Sequence, residues 1–371
     1  MNIQLRYRFR HILGTAVAWT LAISLFALVR LYGVEEEGIY QMVGTQKESN
    51  FHILSLGLGM GGILGLIFGF LDSYKPLLRK ISYAWIVLIR TVVHISITLL
   101  MVIGYIVWFH SFEAGNLDKN WLQILQESPY QKTALVFVIY TGVVSMLFNL
   151  FRQISSMFGP GIMYKLIIGK YHRPKEEERI FMFLDLRSST TYAERLGHIL
   201  YSELIQDCFS DLTAAIDQHQ VEIYQYVGDE AVLTWPISDG LKDLNCIEAF
   251  FTFDQSIQSR AKYYFNKYDL VPAFKAGVNL GLVMVAEVGI VKKEIAYHSD
   301  VLNTAARIQG KCNEYGKGLL ISEAMSLRIP PQHNYILEEV GTVSLKGKEQ
   351  LITIFSVEKK EKLEHQYEFS E

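Results

Sequence analysis

Two aspartates, Asp185 and Asp229, stand where a carboxylate can do chemistry. Asp185 lies near the end of the apolar run RIFMFLDL, and Asp229 follows Gly228 at the centre of YQYVGDEAVLTW, which reads as two strands around a tight turn. If their strands are neighbours, both carboxylates converge at one sheet edge. Such a pair suits Mg²⁺, which prefers oxygen ligands and completes its shell with water and phosphate. Two such ions activate an attacking oxygen and neutralise a leaving phosphate. On the residues alone, however, Gly-Asp in a hairpin is first of all a turn. The pattern Gly-x4-Gly-Lys-Ser/Thr is absent from the chain, which argues against a P-loop kinase or ATPase. Cys208, Cys246 and Cys312 have no partners at metal-ligand spacing. They read as small buried apolar residues in a reducing compartment, not as a disulfide framework or a zinc site.

The elements that must position the aspartates follow the strand RIFMFLDL. A helix is expected from about Thr190 to His219, with an apolar face through Ala193, Leu196, Ile199 and Leu204. The hairpin around Gly228-Asp229 comes next, then a helix near 242–265, a long hairpin near 272–290 and a helix from about Val301 to Tyr315. The βαββαβ order predicts an α+β ferredoxin-like sheet with helices on one face.

The first 155 positions are different in kind. Half of the 371 residues are apolar and a fifth are charged, and the apolar excess crowds into this half. Four stretches, at about 12–32, 51–71, 83–109 and 133–154, approach the roughly 20 residues that cross a bilayer. The first follows Arg6, Arg8 and Arg10 without a small-residue cleavage site, so it reads as a retained helix. Basic residues also lie between the second and third stretches (Lys75, Arg79, Lys80) and after the fourth (Arg152, Lys165, Lys170). The remaining loops are acidic or mixed, which predicts both termini on the cytoplasmic side. Gly57, Gly61, Gly65 and Gly69, four apart, form a smooth stripe for close helix packing within or between protomers. Arg90 and His94, one turn apart, share a face. They read first as internally hydrogen-bonded or snorkelling groups, with a ligand or haem role as the sharper alternative. The net charge of −3 gives no reason to expect nucleic acid as a partner.

Four ordered blocks in the C-terminal half, FMFLDLRSSTTYAE, IYQYVGDEAVLTW, FKAGVNLGLVMVAEVG and SDVLNTAARIQGKC, resemble the signature blocks of class III adenylate and guanylate cyclases. The resemblance covers residues 179 to about 357. It implies that Asp185 and Asp229 bind two Mg²⁺ (or Mn²⁺) per active site, with the Leu186 carbonyl as a further metal ligand. The helix start at Ser188, Ser189 and Thr190 would hold the terminal phosphates. Asn303 and Arg307, one helical turn apart, would orient the ribose and stabilise charge on the transferring phosphorus. Lys346 would grip the triphosphate. Without the resemblance, these last three read as a capping asparagine, a surface arginine and a turn lysine. The implied site lies between two catalytic domains, and this chain carries both halves, which implies a head-to-tail homodimer.

The residues expected to choose the purine are Gln225 and Ala296, and together they match neither usual code. A glutamine amide donates and accepts, so it suits either purine, and Ala296 leaves the reading to backbone or to His298. Ser299 stands where the family usually has glycine. ATP is the preferred substrate on the base rate of bacterial cyclases, with GTP, or a pyrimidine nucleotide, as the alternative. A catalytically inactive cyclase-like receptor is the rival of another class, opposed by the complete residue set. A transporter leaves the C-terminal half unexplained. The expected organisation is an α-helical four-span membrane domain over 1–154, a coupling linker over 155–178, a catalytic domain over 179–357 and a disordered tail over 358–371. It implies a multi-pass protein of the inner (plasma) membrane, in contact with the lipid bilayer, with its catalytic domain cytoplasmic.

Overall fold

The computed structural model describes residues 3–33, 46–73, 82–108, 131–159, 161–331, 334–344 and 351–360. Lys346 and the expected tail beyond residue 360 lie outside the described residues. The chain divides into two compact units, Met1–Phe158 and Gly159–Glu371.

The first unit holds the helices α1 (Ile3–Gly33), α2 (Gln46–Asp72), α3 (Tyr83–Trp108) and α4 (Gln131–Phe158). Helical backbone satisfies its own polar groups, as an apolar surrounding requires. Among the described residues, three apolar stretches are long enough to cross a membrane: Ile12–Val29, Tyr83–Trp108 and Gln131–Phe158. The corresponding stretch of α2, Gly57–Asp72, is shorter. The glycine stripe packs α2 against α1 within the same protomer. A methyl group at Gly65 would lie 2.6 Å from the Ala16 Cα, and one at Gly61 would lie 2.7 Å from the Thr20 Cα. Only glycine lets the two backbones come this close.

The second unit opens with the short helix α5 (Ile162–Ile167) and is built on the strand β1 (Lys175–Leu186). This strand starts four residues before the expected apolar run, because Lys175 to Glu178 pair with β4 (Phe274–Val288) despite their charge. A long helix, α6 (Ser189–Gln218), leads to the hairpin β2 (Glu222–Val227) and β3 (Glu230–Pro236). A short helix α7 (Ile237–Leu241) and a 3-10 turn precede α8 (Asn245–Ser259) and α9 (Ala261–Tyr268). The expected single helix near 242–265 is thus two, divided at Arg260 by a non-helical backbone. After β4 come β5 (Glu294–His298), α10 (Asp300–Lys311), β6 (Leu319–Ser322), α11 (Glu323–Ser326), β7 (Tyr335–Ser344) and β8 (Leu351–Lys359). The hairpin expected near 272–290 is instead one long strand, β4, and its return strand is β5.

The sheet order is β2-β3-β1-β4-β6-β8-β7, with β5 on β4. Its first four strands alternate in direction as a βαββαβ unit demands, and the parallel pairing of β4 with β6 makes the sheet mixed. Side chains alternate across β1. Ile180, Met182 and Leu184 meet Leu204, Cys208 and Leu212 of α6 and Phe250 and Phe253 of α8. Phe181 faces the other side, with Tyr297, Ala305 and Leu166. The helices therefore cover both faces rather than one: α6 and α8 lie on one side, and α10 with α5 on the other. Gly277 makes room for α10, since a methyl group there would lie 2.2 Å from the backbone nitrogen of Gln309. The expected apolar face of α6 holds at Leu204 but not at Ile199, which is 79% exposed. The non-helical backbone of Gly197 shifts the helical phase between Leu196 and Ile199.

Candidate active site

Strand pairing brings the two aspartates together. Asp185 is directly opposite Glu230, and Glu230 follows Asp229 at the turn joining β2 to β3. Asp185 is half-buried, and its carboxyl is pushed above the usual carboxylate range, first by burial and then by the nearby charge of Asp229. Lys275, directly opposite Asp185 on β4, places its Nζ 3.3 Å from Oδ2. Gln309 of α10 donates from Nε2 to the same oxygen at 2.8 Å. Burial, with Asp185 and Asp229 beside it, raises the Glu230 carboxyl to about 7. The Tyr201 hydroxyl is raised to about 12, first by burial and then by the nearby charge of Asp229. Two repelling carboxylates, one already beside an ammonium group, offer the oxygen-rich negative charge that fits a divalent cation.

Leu186 ends β1 and is buried. Ser188 takes a left-handed backbone before α6 without capping the helix by its side chain, and Ser189 and Thr190 open the first turn. That leaves the helix N-terminus available to an anion. Gln225 is exposed on β2, and Ala296 is half-buried on β5 opposite Ala286.

Asn303 sits elsewhere. It is exposed on α10 and lines an open cleft with Tyr297, His298, Ser299, Asp300 and Leu302. Arg307, one turn on, is half-buried. Ser299, in place of a glycine, caps α10 by accepting from the Val301 N–H at 3.2 Å and donates to the Leu282 carbonyl at 3.0 Å. The aspartate pair and the Asn303 cleft are thus built from different parts of the sheet.

Lys275, Gln309, Tyr201 and Glu230 escape a reading by motif. The available signals were a lysine inside an apolar strand and a glutamine four residues after Ala305, in the helical phase of the core.

In the first unit, Arg90 and His94 meet a partner that the sequence did not mark. Asp72, 3% exposed, lies 3.7 Å from Arg90 Nε and 3.8 Å from His94 Nε2, and it also pairs with Arg152. His94 Nδ1 is 2.7 Å from Ser145 Oγ, and Phe68 stacks on the ring at 3.9 Å. Nδ1 of His94 is thus hydrogen-bonded within the first unit, as expected for an internally bonded group, and the Asp72 carboxylate lies beside Nε2.

The model of the adenylate and guanylate cyclase catalytic domain matches residues 172–358. Adenylate cyclase 2 of Rhizobium meliloti (strain 1021) is 32% identical over 205 residues, which are 55% of this chain and 56% of that protein. Adenylate cyclase of Anabaena cylindrica is 25% identical over 183 residues, 47% of this chain and 36% of that one. The chain therefore spans less than two thirds of the curated relatives it matches. A solved bacterial light-regulated adenylyl cyclase shares the fold, with a TM-score of 0.51 at 17% identity over 64% of this chain and 67% of that one. With more than half of its length matched and the aspartate-bearing hairpin on the β1–β3 pairing, this chain belongs to the adenylate and guanylate cyclase catalytic domain family.

Proposed function

We propose that this protein is a membrane-anchored adenylate cyclase that converts ATP to 3′,5′-cyclic AMP and pyrophosphate. The observation that carries the reading is the strand pairing that sets Asp185 opposite Glu230, next to Asp229 at the β2–β3 turn. Two Mg²⁺ (or Mn²⁺) per site would be held by these carboxylates and the Leu186 carbonyl. Bound there, they would acidify the ribose 3′-hydroxyl and neutralise the triphosphate.

The ribose 3′-hydroxyl loses its proton to solvent and its oxygen attacks the α-phosphorus in line, forming the new O–P bond as the bond to the β-phosphate breaks and pyrophosphate leaves. The amides at Ser188, Ser189 and Thr190 hold the terminal phosphates, with Lys346 as a further grip. Asn303 orients the ribose, and Arg307 stabilises the charge that builds on phosphorus. Gln225 reads the base edge through its amide, with Ala296 leaving space beside it. The same pair suits guanine, so GTP is the second reading.

The Asn303 cleft is lined by residues of β5 and α10 and by neither aspartate, which supports a homodimer with two composite sites. Exposed apolar side chains on α6 and β2, namely Ile199 (79%) and Val227 (53%), are suited to such a contact. In the membrane half, α2 joins the three longer apolar helices as a fourth span. The catalytic domain (179–357) and both termini then lie on the cytoplasmic side of the plasma membrane, joined to the spans by a coupling linker (155–178). Mixing Asp229→Ala protomers with Arg307→Ala protomers tests the composite site. Cyclic product should return in mixed dimers through one intact site, and none should form in either variant alone. No recovery in isolated mixed dimers would overturn the shared-site reading.

A further inference from the structure

The two expected halves of the active site meet on one helix. On α10, Asn303 is exposed and Arg307 half-buried, while Ala305 and Gln309 point into the fold, 0% and 6% exposed. The inward residues are locked by close packing. A methyl group at Gly277 of β4 would lie 2.2 Å from the Gln309 backbone nitrogen and 2.5 Å from the Ala305 carbonyl oxygen. From this seat Gln309 donates to Asp185 Oδ2 at 2.8 Å. Its amide is a neutral donor. It fixes the direction of the carboxylate while leaving the negative charge available to a cation, which the Lys275 ammonium on the same oxygen does not. In a head-to-tail homodimer, α10 gives Asn303 and Arg307 to one site while Gln309 holds the Asp185 of the other.

We propose that Gln309 is a positioning residue that couples the two active sites, so that metal–nucleotide occupancy at Asp185 of one site seats α10 and raises nucleotide affinity in its neighbour. This rests on the homodimeric cyclase reading. The bond to Asp185 has two physical consequences. A carboxylate fixed by a buried donor loses less freedom when it takes up a cation. A helix that reports on one site while completing another supplies the differential contact that cooperativity requires.

The test is calorimetric titration of full-length dimer with 3′-deoxy-ATP, which lacks the attacking hydroxyl, at saturating Mn²⁺. Wild type and Gln309→Met are compared; methionine is similar in length and has no donor. Wild type should bind two nucleotides per dimer with a Hill coefficient above 1. The variant, with its melting temperature and dimer mass retained, should bind about tenfold more weakly with a Hill coefficient of 1. Independent sites in wild type would overturn the coupling whatever the variant does, so the test survives a variant that fails to fold. A folded variant with wild-type affinity and Hill coefficient would overturn the role of Gln309. Absence of nucleotide binding by wild type would remove the cyclase reading and this proposal with it, an outcome distinct from independent sites.

Discussion

Asp185 and Lys275 stand directly opposite each other across the antiparallel pairing of β1 and β4, with the lysine Nζ 3.3 Å from the carboxylate. The aspartate is held from two sides, by Lys275 and by Gln309, while burial and then Asp229 push its proton affinity up. Replacing it removes both the bonds and the repulsion, so the fold tolerates the change better than the chemistry does. Asp185→Ala should cut cyclic-nucleotide turnover by about a hundred- to a thousandfold, the scale of losing electrostatic stabilisation at a reacting centre. The circular dichroism spectrum should stay that of wild type. Turnover within tenfold of wild type would remove Asp185 from the metal site.

Gly65 packs against α1, and a side chain there would meet Ala16 backbone atoms at 2.6 and 2.9 Å. Backbone cannot swing aside as a flexible side chain does. Gly65→Leu should destabilise the first unit by about 3 kcal/mol or more, read as earlier thermal unfolding in detergent. Gly59 is the matched control: a methyl group there would meet nothing within 4 Å, and Gly59→Leu should be near neutral. Equal behaviour of the two variants would contradict the packing of α1 on α2.

Asp72 serves Arg90, His94 and Arg152 at once. Removing it leaves two guanidinium groups in apolar surroundings with their shared counter-charge gone. Asp72→Ala should cost about 3–5 kcal/mol, as when one partner of a buried ion pair is deleted. The double variant Asp72→Ala with Arg152→Ala should lose less than the two single variants summed, and strict additivity in unfolding titrations would mean that the pair does not interact.

His219 is half-buried, with Nδ1 3.1 Å from Asn245 Oδ1 and Nε2 2.8 Å from Thr252 Oγ1. Burial lowers its proton affinity below the ordinary histidine value. The folded state therefore binds this proton less readily than the unfolded chain. Its contribution to stability is fully present above the unfolded pKa of about 6.5 and is lost as pH falls from there through the folded pKa. His219→Gln keeps a hydrogen-bonding amide and removes the titration. Melting temperature against pH between about 7 and 5 should be flatter in the variant than in wild type, and parallel profiles would contradict the assignment.

Much of the candidate site was legible because its parts are local. An apolar run ending in aspartate and a Gly-Asp turn mark Asp185 and Asp229, and the alternation of β1 fixes which of its side chains enter the core. The one-turn spacing of Asn303 and Arg307 likewise puts them on one helical face. What escaped depends on contacts between distant segments. Lys275 reaches Asp185 only through the register of β1 with β4, and no periodicity specifies which residue of one strand faces which of the other. Gln309 lies 124 residues from its partner, and Arg152 lies 80 from Asp72. The phase break at Gly197 left Ile199 exposed, because a helical pattern assumes an unbroken helix. The charged start of β1 hid its first four residues, since backbone pairing with β4 outweighs their poor strand propensity.

The most direct measurement is turnover by purified full-length protein with Mg²⁺ or Mn²⁺, offering ATP, GTP, CTP and UTP separately and identifying the products by mass. ATP should yield 3′,5′-cyclic AMP and pyrophosphate in equal amounts. Cyclic GMP from GTP alone would keep the cyclase and overturn the choice of base assigned to Gln225 and Ala296. No cyclic product from any of the four, by protein confirmed to be dimeric, would contradict the assignment of cyclase activity to this chain.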